Sequence, residues 1–101
     1  MNFTTLTQLV IKWAQERDLI HEKNAPFQMM KVTEEIGELA AAVSRKNRDE
    51  TIDAIGDSFV TLIILSAQLG LNPKDCLFSA YNEIHERKGK TVDGTFIKDE
   101  E

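Results

Sequence analysis

The chain has 101 residues, 42% hydrophobic and 29% charged, the balance of one folded domain with no room for a second. Its 17 Asp and Glu outnumber 12 Lys and Arg, for a net charge of −5. That charge argues against polymeric nucleic acid as a partner, because displacing phosphate counterions needs a basic face; a single nucleotide held through a metal is not excluded. The lone Cys76 precludes an internal disulfide and suits a reducing cytoplasm. The stretch "SFVTLIILSAQLG" is too short to span a bilayer, and the opening "MNFTTLTQLVIKWAQERD" carries no basic leader, so a cytoplasmic protein without membrane association is expected.

In chain order, a first helix is expected over about 5–17, where Leu6, Val10 and Trp13 fall at i, i+4, i+7. Trp13 reads as core before it reads as a platform for a base, and so do Met29 and Met30. After the break at "DLIHEKNA", Pro26 suits the first turn of a second helix capped by Asn24 or Ala25. That helix carries Met29, Val32, Ile36, Leu39 and Val43 inward and stops near "SRKNRD". Asp49 is the expected cap of a third helix that runs to Leu69 and ends at Gly70. Its second half, "FVTLIILSAQL", is apolar nearly all round, as befits the central helix. A fourth starts at Asn72-Pro73 with Asp75 in its first turn and reaches about Arg87, with Leu77, Tyr81 and Ile84 on one stripe. From about residue 89 an irregular tail follows: Gly89 stops the helix, "DG" marks a turn and "TFI" forms a brief extended piece without a strand partner. The expected architecture is an all-α four-helix bundle formed by residues 1–101 as one domain.

Carboxylates thread the middle of that bundle. Glu34, Glu35 and Glu38 lie three and four apart on the second helix, and Asp53 and Asp57 lie four apart on the third, with Glu50 one step before them. A short connection makes the two helices antiparallel, so Glu35 and Glu38 can face Asp53 and Asp57. Partly buried like charges at such range repel by several kcal/mol even at an effective dielectric of about 20. A cation between them would relieve this, and an all-oxygen set suits Mg²⁺, or Mn²⁺, far better than zinc. The bland alternative is a wet helix face. Against it stand the scarcity of cations between Lys31 and Arg45, and Gly37, which costs a helix about 1 kcal/mol unless a neighbour or ligand needs the space.

The segments "EEIGELA", "DAIGD" and "AYNEIHERKGKTVDGTFIKDE" together resemble the MazG-like all-α nucleoside triphosphate pyrophosphohydrolases, in their short single-domain phage and bacterial form, over about residues 13–98. The resemblance implies hydrolysis of a nucleoside triphosphate to the monophosphate and pyrophosphate, with Mg²⁺ held by an EExxE…ExxD motif. Glu34, Glu35 and Glu38 match its first half and Asp57 its final aspartate. The glutamate of ExxD falls on Ala54, which leaves Asp53 as the expected substitute ligand and Glu50 as a further one. On this basis Glu35, Glu38, Asp53 and Asp57 are expected metal ligands, and Glu34 either orients or deprotonates water or sits in solvent. Lys31, Asn82, Arg87 and Lys88 are expected phosphate or nucleotide contacts; a merely solvated basic helix end is the alternative for the last two.

Two rival readings compete with this one. Di-iron carboxylate bundles need Glu-x-x-His twice, and neither His21 nor His85 has a glutamate three residues before it. A non-catalytic module that binds a nucleotide or protein, its metal site degraded at Ala54, is the remaining alternative. Association as a homodimer or homotetramer is expected, since so short a chain buries a modest share of its surface. Neither the base nor the sugar of the substrate is legible.

Overall fold

The computed structural model describes residues 1–100; Glu101, the last residue of the expected domain, lies outside the described residues. Four helices, α1 (Phe3–Glu16), α2 (Ala25–Ser44), α3 (Arg48–Gln68) and α4 (Pro73–Ile84), are followed by a hairpin of β1 (Gly89–Val92) and β2 (Thr95–Lys98). The expected all-α architecture is present, with a 3₁₀ turn at Glu22–Asn24 and the small hairpin added to the four helices.

Local chemistry sets the helix ends. Asn2 caps α1 by accepting from the Thr5 N–H at 2.8 Å, and Asn72 caps α4 by accepting from the Lys74 N–H at 2.9 Å, with Pro73 at the first helical position as expected. The cap of α3 is Asn47 rather than Asp49. Its Oδ1 accepts from the Glu50 N–H at 3.0 Å, and Asp49 falls inside the first turn, where its charge favours the helix dipole. Asn24 stands at the N-cap of α2 without a side-chain bond to the helix; its amide donates instead to the Leu19 carbonyl. Gly70, with φ of 71°, ends the α3 region in the left-handed conformation that glycine tolerates best.

Helices α2 and α3 form the closest-packed pair. Gln28 donates to the Thr61 carbonyl at 3.1 Å at one end, and Arg45 meets Glu50 at 2.8 Å at the other, so the two run antiparallel. The seam is made of small and branched residues: Val32 and Ala42 from α2, and Ala54, Ile63 and Ile64 from α3, all buried. Helix α1 packs on α3 through Phe3 edge-on to Phe59, and the buried Gln68 of α3 donates its amide to the carbonyl of Leu19, in the connection that follows α1, at 3.0 Å.

Helix α4 departs from that body. The chain bends by 103° between α3 and α4, and α4 buries none of its residues. The "TFI" segment does have a partner: β2 pairs antiparallel with β1, Val92 opposite Thr95. Asp93 and Gly94 both have positive φ, at 50° and 79°, as a two-residue type I′ turn requires. Gly89 belongs to this hairpin and not to a helix end, since a Cβ there would collide with the Ile97 carbonyl and the Phe96 ring.

Burial departs from the expected inward stripes. Trp13 is 47% exposed, with the Arg17 guanidinium 4.1 Å over its ring, and Met30 is 70% exposed. Met29, Ile36 and Val43 are also exposed, and no large side chain among the described residues is fully buried. The space above Gly37 is open, so in the single chain no neighbour approaches it. Among the described residues no single helix is long and apolar enough to cross a membrane.

Candidate metal centre

Three carboxylates gather on one face of α2. Glu34, Glu35 and Glu38 each bring a carboxylate oxygen within 4.8 Å of the others', because steps of three and four residues return to the same helix face. Facing them across the seam is a cleft of about 320 Å³ lined by Glu38, Ala41, Ala42 and Arg45 from the α2 side and by Glu50, Asp53, Ala54 and Asp57 from α3. The alanines form its floor. Their short side chains let the two backbones approach while the acids project past them.

Glu35 is the electrostatic centre of the group. Burial pushes its carboxyl above the ordinary range, and the adjacent Glu38 and then the charges of Asp57 and Glu34 push the same way. Its Oε2 is shut away from solvent with no hydrogen-bond partner, an arrangement that costs free energy unless a cation or proton satisfies it. Oxygen ligands alone fit a hard divalent ion such as Mg²⁺ or Mn²⁺; the carboxylates whose oxygens lie within 4.8 Å of one another all belong to α2, and Asp53 and Asp57 line the neighbouring cleft from α3. Glu35, Glu38 and Asp57 would hold the ion, with Asp53 at the rim of the same cleft.

The cations nearby are few. Lys31 lies 3.4 Å from Glu34, both exposed. Arg45 donates to Glu50 at 2.8 Å, which occupies the carboxylate that sequence alone offered as a further ligand. Arg45 entered the sequence reading only as the next cation after Lys31; its position just before the turn into α3 was the signal that it would meet the first turn of the next helix. Ala54, at the position of the motif's missing glutamate, is 6% exposed, and the neighbouring Asp53 reaches the cleft from an exposed position.

The structure does not bring Asn82, Arg87 and Lys88 to this cleft. Arg87 and Lys88 line a separate open hollow with Glu83, Glu86, Lys98, Asp99 and Glu100, between the end of α4 and the hairpin, and Asn82 lies on α4 just before it. His21, which binds Asp18 at 2.6 Å, and His85 are exposed and do not line the acid cleft, and Cys76 is exposed.

Comparison with known proteins places these observations in a lineage. A family described as phosphoribosyl-ATP pyrophosphohydrolase matches residues 8–88. A curated relative, an uncharacterized 18.2 kDa protein in the rep-hol intergenic region of Haemophilus phage HP1 (strain HP1c1), is 36% identical over 63 residues, 62% of this chain. The chain spans 39% of that relative's length. No solved structure matches.

Proposed function

Because the chain belongs to the phosphoribosyl-ATP pyrophosphohydrolase family, within the MazG-like all-α superfamily, we propose that it hydrolyses a nucleoside triphosphate to the monophosphate and pyrophosphate with Mg²⁺ or Mn²⁺. One observation carries this. Burial, the adjacent Glu38 and the charge of Asp57 across the seam hold the Glu35 carboxyl above its ordinary range, and its Oε2 has no partner.

Water attacks the α-phosphorus, a P–O bond to that water forms, and the bond from the α-phosphorus to the α,β-bridging oxygen breaks. The electron pair leaves with pyrophosphate, and the proton of the attacking water passes to a carboxylate. A divalent ion, when bound, supplies the positive charge that offsets charge growing on the phosphoryl oxygens and makes the water more acidic. Glu35, Glu38 and Asp57 anchor that charge, and Asp53 takes the part that the motif gives to the residue at Ala54. Glu34, on the exposed edge and within reach of Lys31, orients the water and accepts its proton. Lys31, freed from Glu34 by that transfer, is a phosphate contact.

The same chemistry serves an ordinary (d)NTP and phosphoribosyl-ATP, since both present a triphosphate. A panel of dUTP, dCTP, dATP, dGTP, oxidised nucleotides and phosphoribosyl-ATP, each with Mg²⁺ and assayed for pyrophosphate, distinguishes them. Release from one of these, abolished by Glu38→Gln, supports the enzyme. The buried Ala54 favours a second reading, a nucleotide-binding module without turnover; nucleotide binding indifferent to a chelator, with no pyrophosphate from any substrate, would establish that instead.

The protein acts as a homodimer or homotetramer in this account. Ile52, Phe59, Leu77, Phe78 and Ile84 are all about half exposed or more, more apolar surface than a stable monomer usually leaves wet. The lone Cys76, exposed and free, supports a reducing, cytoplasmic setting.

A further inference from the structure

Among the described residues, the acid cleft between α2 and α3 has one cation in its lining. Four carboxylates, Glu38, Glu50, Asp53 and Asp57, share it with Arg45. Arg45 pairs with one of the four: its Nη2 donates to Glu50 Oε2 at 2.8 Å, and the rest of the guanidinium makes no hydrogen bond among the described residues. Lys31 pairs with Glu34 instead, which is outside the lining, and Arg87 and Lys88 line a different hollow.

The turn between the helices places this pair. Arg45 is the C-cap of α2, where the helix dipole favours a cation, and Glu50 stands in the first turn of α3, where it favours an anion. Lys46, in the left-handed conformation with φ of 56°, and the Asn47 cap turn the chain between them. Glu50 thereby holds the guanidinium at the exposed rim, away from Glu38 and Asp57, where it would compete with a divalent ion.

Such a bridge exchanges easily. Both side chains are more than half exposed, so solvent and salt screen the pair and it adds little to stability. A phosphate offers the guanidinium two parallel bonds in place of one, the geometry in which arginine binds most strongly. On losing Arg45, Glu50 stays hydrated at a helix N-terminus and is not stranded. A triphosphate beside one divalent ion also keeps negative charge that the ion does not cancel, in a cleft that is otherwise acidic.

We infer that Arg45 is a phosphate-binding residue of this site, held by Glu50 until a metal-bound triphosphate enters and then transferred to its phosphates. The ligand rests on the pyrophosphohydrolase reading. Glu50 is given the holding of Arg45 in place of a metal-ligand role.

The test uses the full-length chain with Mg²⁺ and inorganic tripolyphosphate, a probe that carries the phosphates without base or sugar. Isothermal titration is expected to show Arg45→Gln weakening tripolyphosphate binding roughly 10–100-fold, the loss of a hydrogen bond to a charged group. Arg45→Lys should recover part of this, because it keeps the charge without the fork. Mg²⁺ alone should bind Arg45→Gln as well as wild type or better. Glu50→Gln should bind the probe as tightly as wild type or a few-fold more tightly, since it frees Arg45. A mere staple of the α2–α3 turn gives both variants the same sign, so a matching loss in Glu50→Gln overturns the inference, as does a loss of its Mg²⁺ affinity. An equal loss in Arg48→Gln, a cation of the same turn that lines a separate hollow, would report diffuse charge and also overturns it. In ¹⁵N-labelled protein the Arg45 Nε–H resonance, assigned through Arg45→Lys, should shift when the probe is added with Mg²⁺ and stay in place with Mg²⁺ alone. An unmoved resonance, or a wild type that does not bind the probe, contradicts the transfer. If the probe binds through Arg45 and no nucleotide of the panel is cleaved, the pyrophosphohydrolase reading fails and the phosphate contact stands.

Discussion

Glu35 on α2 and Asp57 on α3 are coupled across the helix pair: after burial and the neighbouring Glu38, the charge of Asp57 helps to hold the Glu35 carboxyl above its ordinary value. Two helices packed through alanines therefore carry an electrostatic debt at their seam that a divalent ion would cancel. Stability and ion binding become linked quantities in this protein.

The first consequence is a pH dependence of the metal-free protein. A carboxyl whose folded value lies above its ordinary 4.5 binds its proton more tightly in the folded state than in the unfolded one. The stability it contributes is present below the ordinary value and lost as pH rises through the raised one. Thermal melting in chelator should therefore give a Tm that falls over that window, and Glu35→Gln should flatten the fall. Added Mn²⁺ should raise the Tm of the wild type well above pH 6 and leave that of Glu35→Gln nearly unmoved. A wild-type Tm independent of pH across this range would remove the coupling.

Replacing ligands should rank them. Glu38→Gln is expected to cost more than the roughly 10–100-fold in affinity or activity that loss of an outer-shell partner costs. Asp53→Asn should weaken ion binding about tenfold if Asp53 substitutes for the residue at Ala54. Asp49→Asn is the control, since Asp49 lies outside the lining of the cleft. Isothermal titration with Mn²⁺ reads all three, and equal effects from Asp53→Asn and Asp49→Asn would remove Asp53 from the ligand set.

The helix that bears Asp53 and Asp57 starts at the Asn47 cap. Asn47→Ala removes the acceptor of the Glu50 N–H and should cost about 1 kcal/mol, a fall of roughly 4–8 °C in Tm for a domain of this size. Asp49→Ala should cost less, because it leaves the cap in place. Melting curves of the two variants side by side decide which residue starts α3.

Association should depend on the unpartnered faces. Leu77→Asp, at a position 64% exposed, places a charge in the apolar stripe of α4 and should shift the sedimentation profile toward monomer, lessening the dependence of Tm on protein concentration that association gives the wild type. Thr51→Asp, a half-buried residue of α3 outside that stripe, should leave the assembly state unchanged. A wild-type chain that sediments as a monomer at micromolar concentration would refute association.

Much of this was legible in the chain because the signals are local. Asn72-Pro73-Asp75 marks the start of α4 through its own hydrogen bonds, and acids at steps of three and four share a helix face whatever surrounds them. The cap of α3 was misassigned because "NRD" offers two capping side chains two residues apart, and only backbone geometry selects Asn47. The hairpin was half visible. Asp93-Gly94 is the turn signal, but "GKTV" has too little apolar alternation to read as a strand without its partner. Trp13, Met29 and Ile36 fell on stripes that periodicity reads as inward; the period reports which face needs covering and is silent on what covers it. The distance between Arg87 and the acid cleft was beyond sequence altogether, because it follows from the 103° bend between α3 and α4.

The central claim, that carboxylates from α2 and α3 share one divalent ion, is tested most directly by titrating Mn²⁺ and following the electron paramagnetic resonance signal of the free hexaaquo ion. Loss of that signal at stoichiometric protein, abolished by Glu35→Gln and by Asp57→Asn alike, is the predicted result. Binding of Mn²⁺ that neither substitution weakens, or no binding at all by the wild-type protein with nucleotide present, would contradict it.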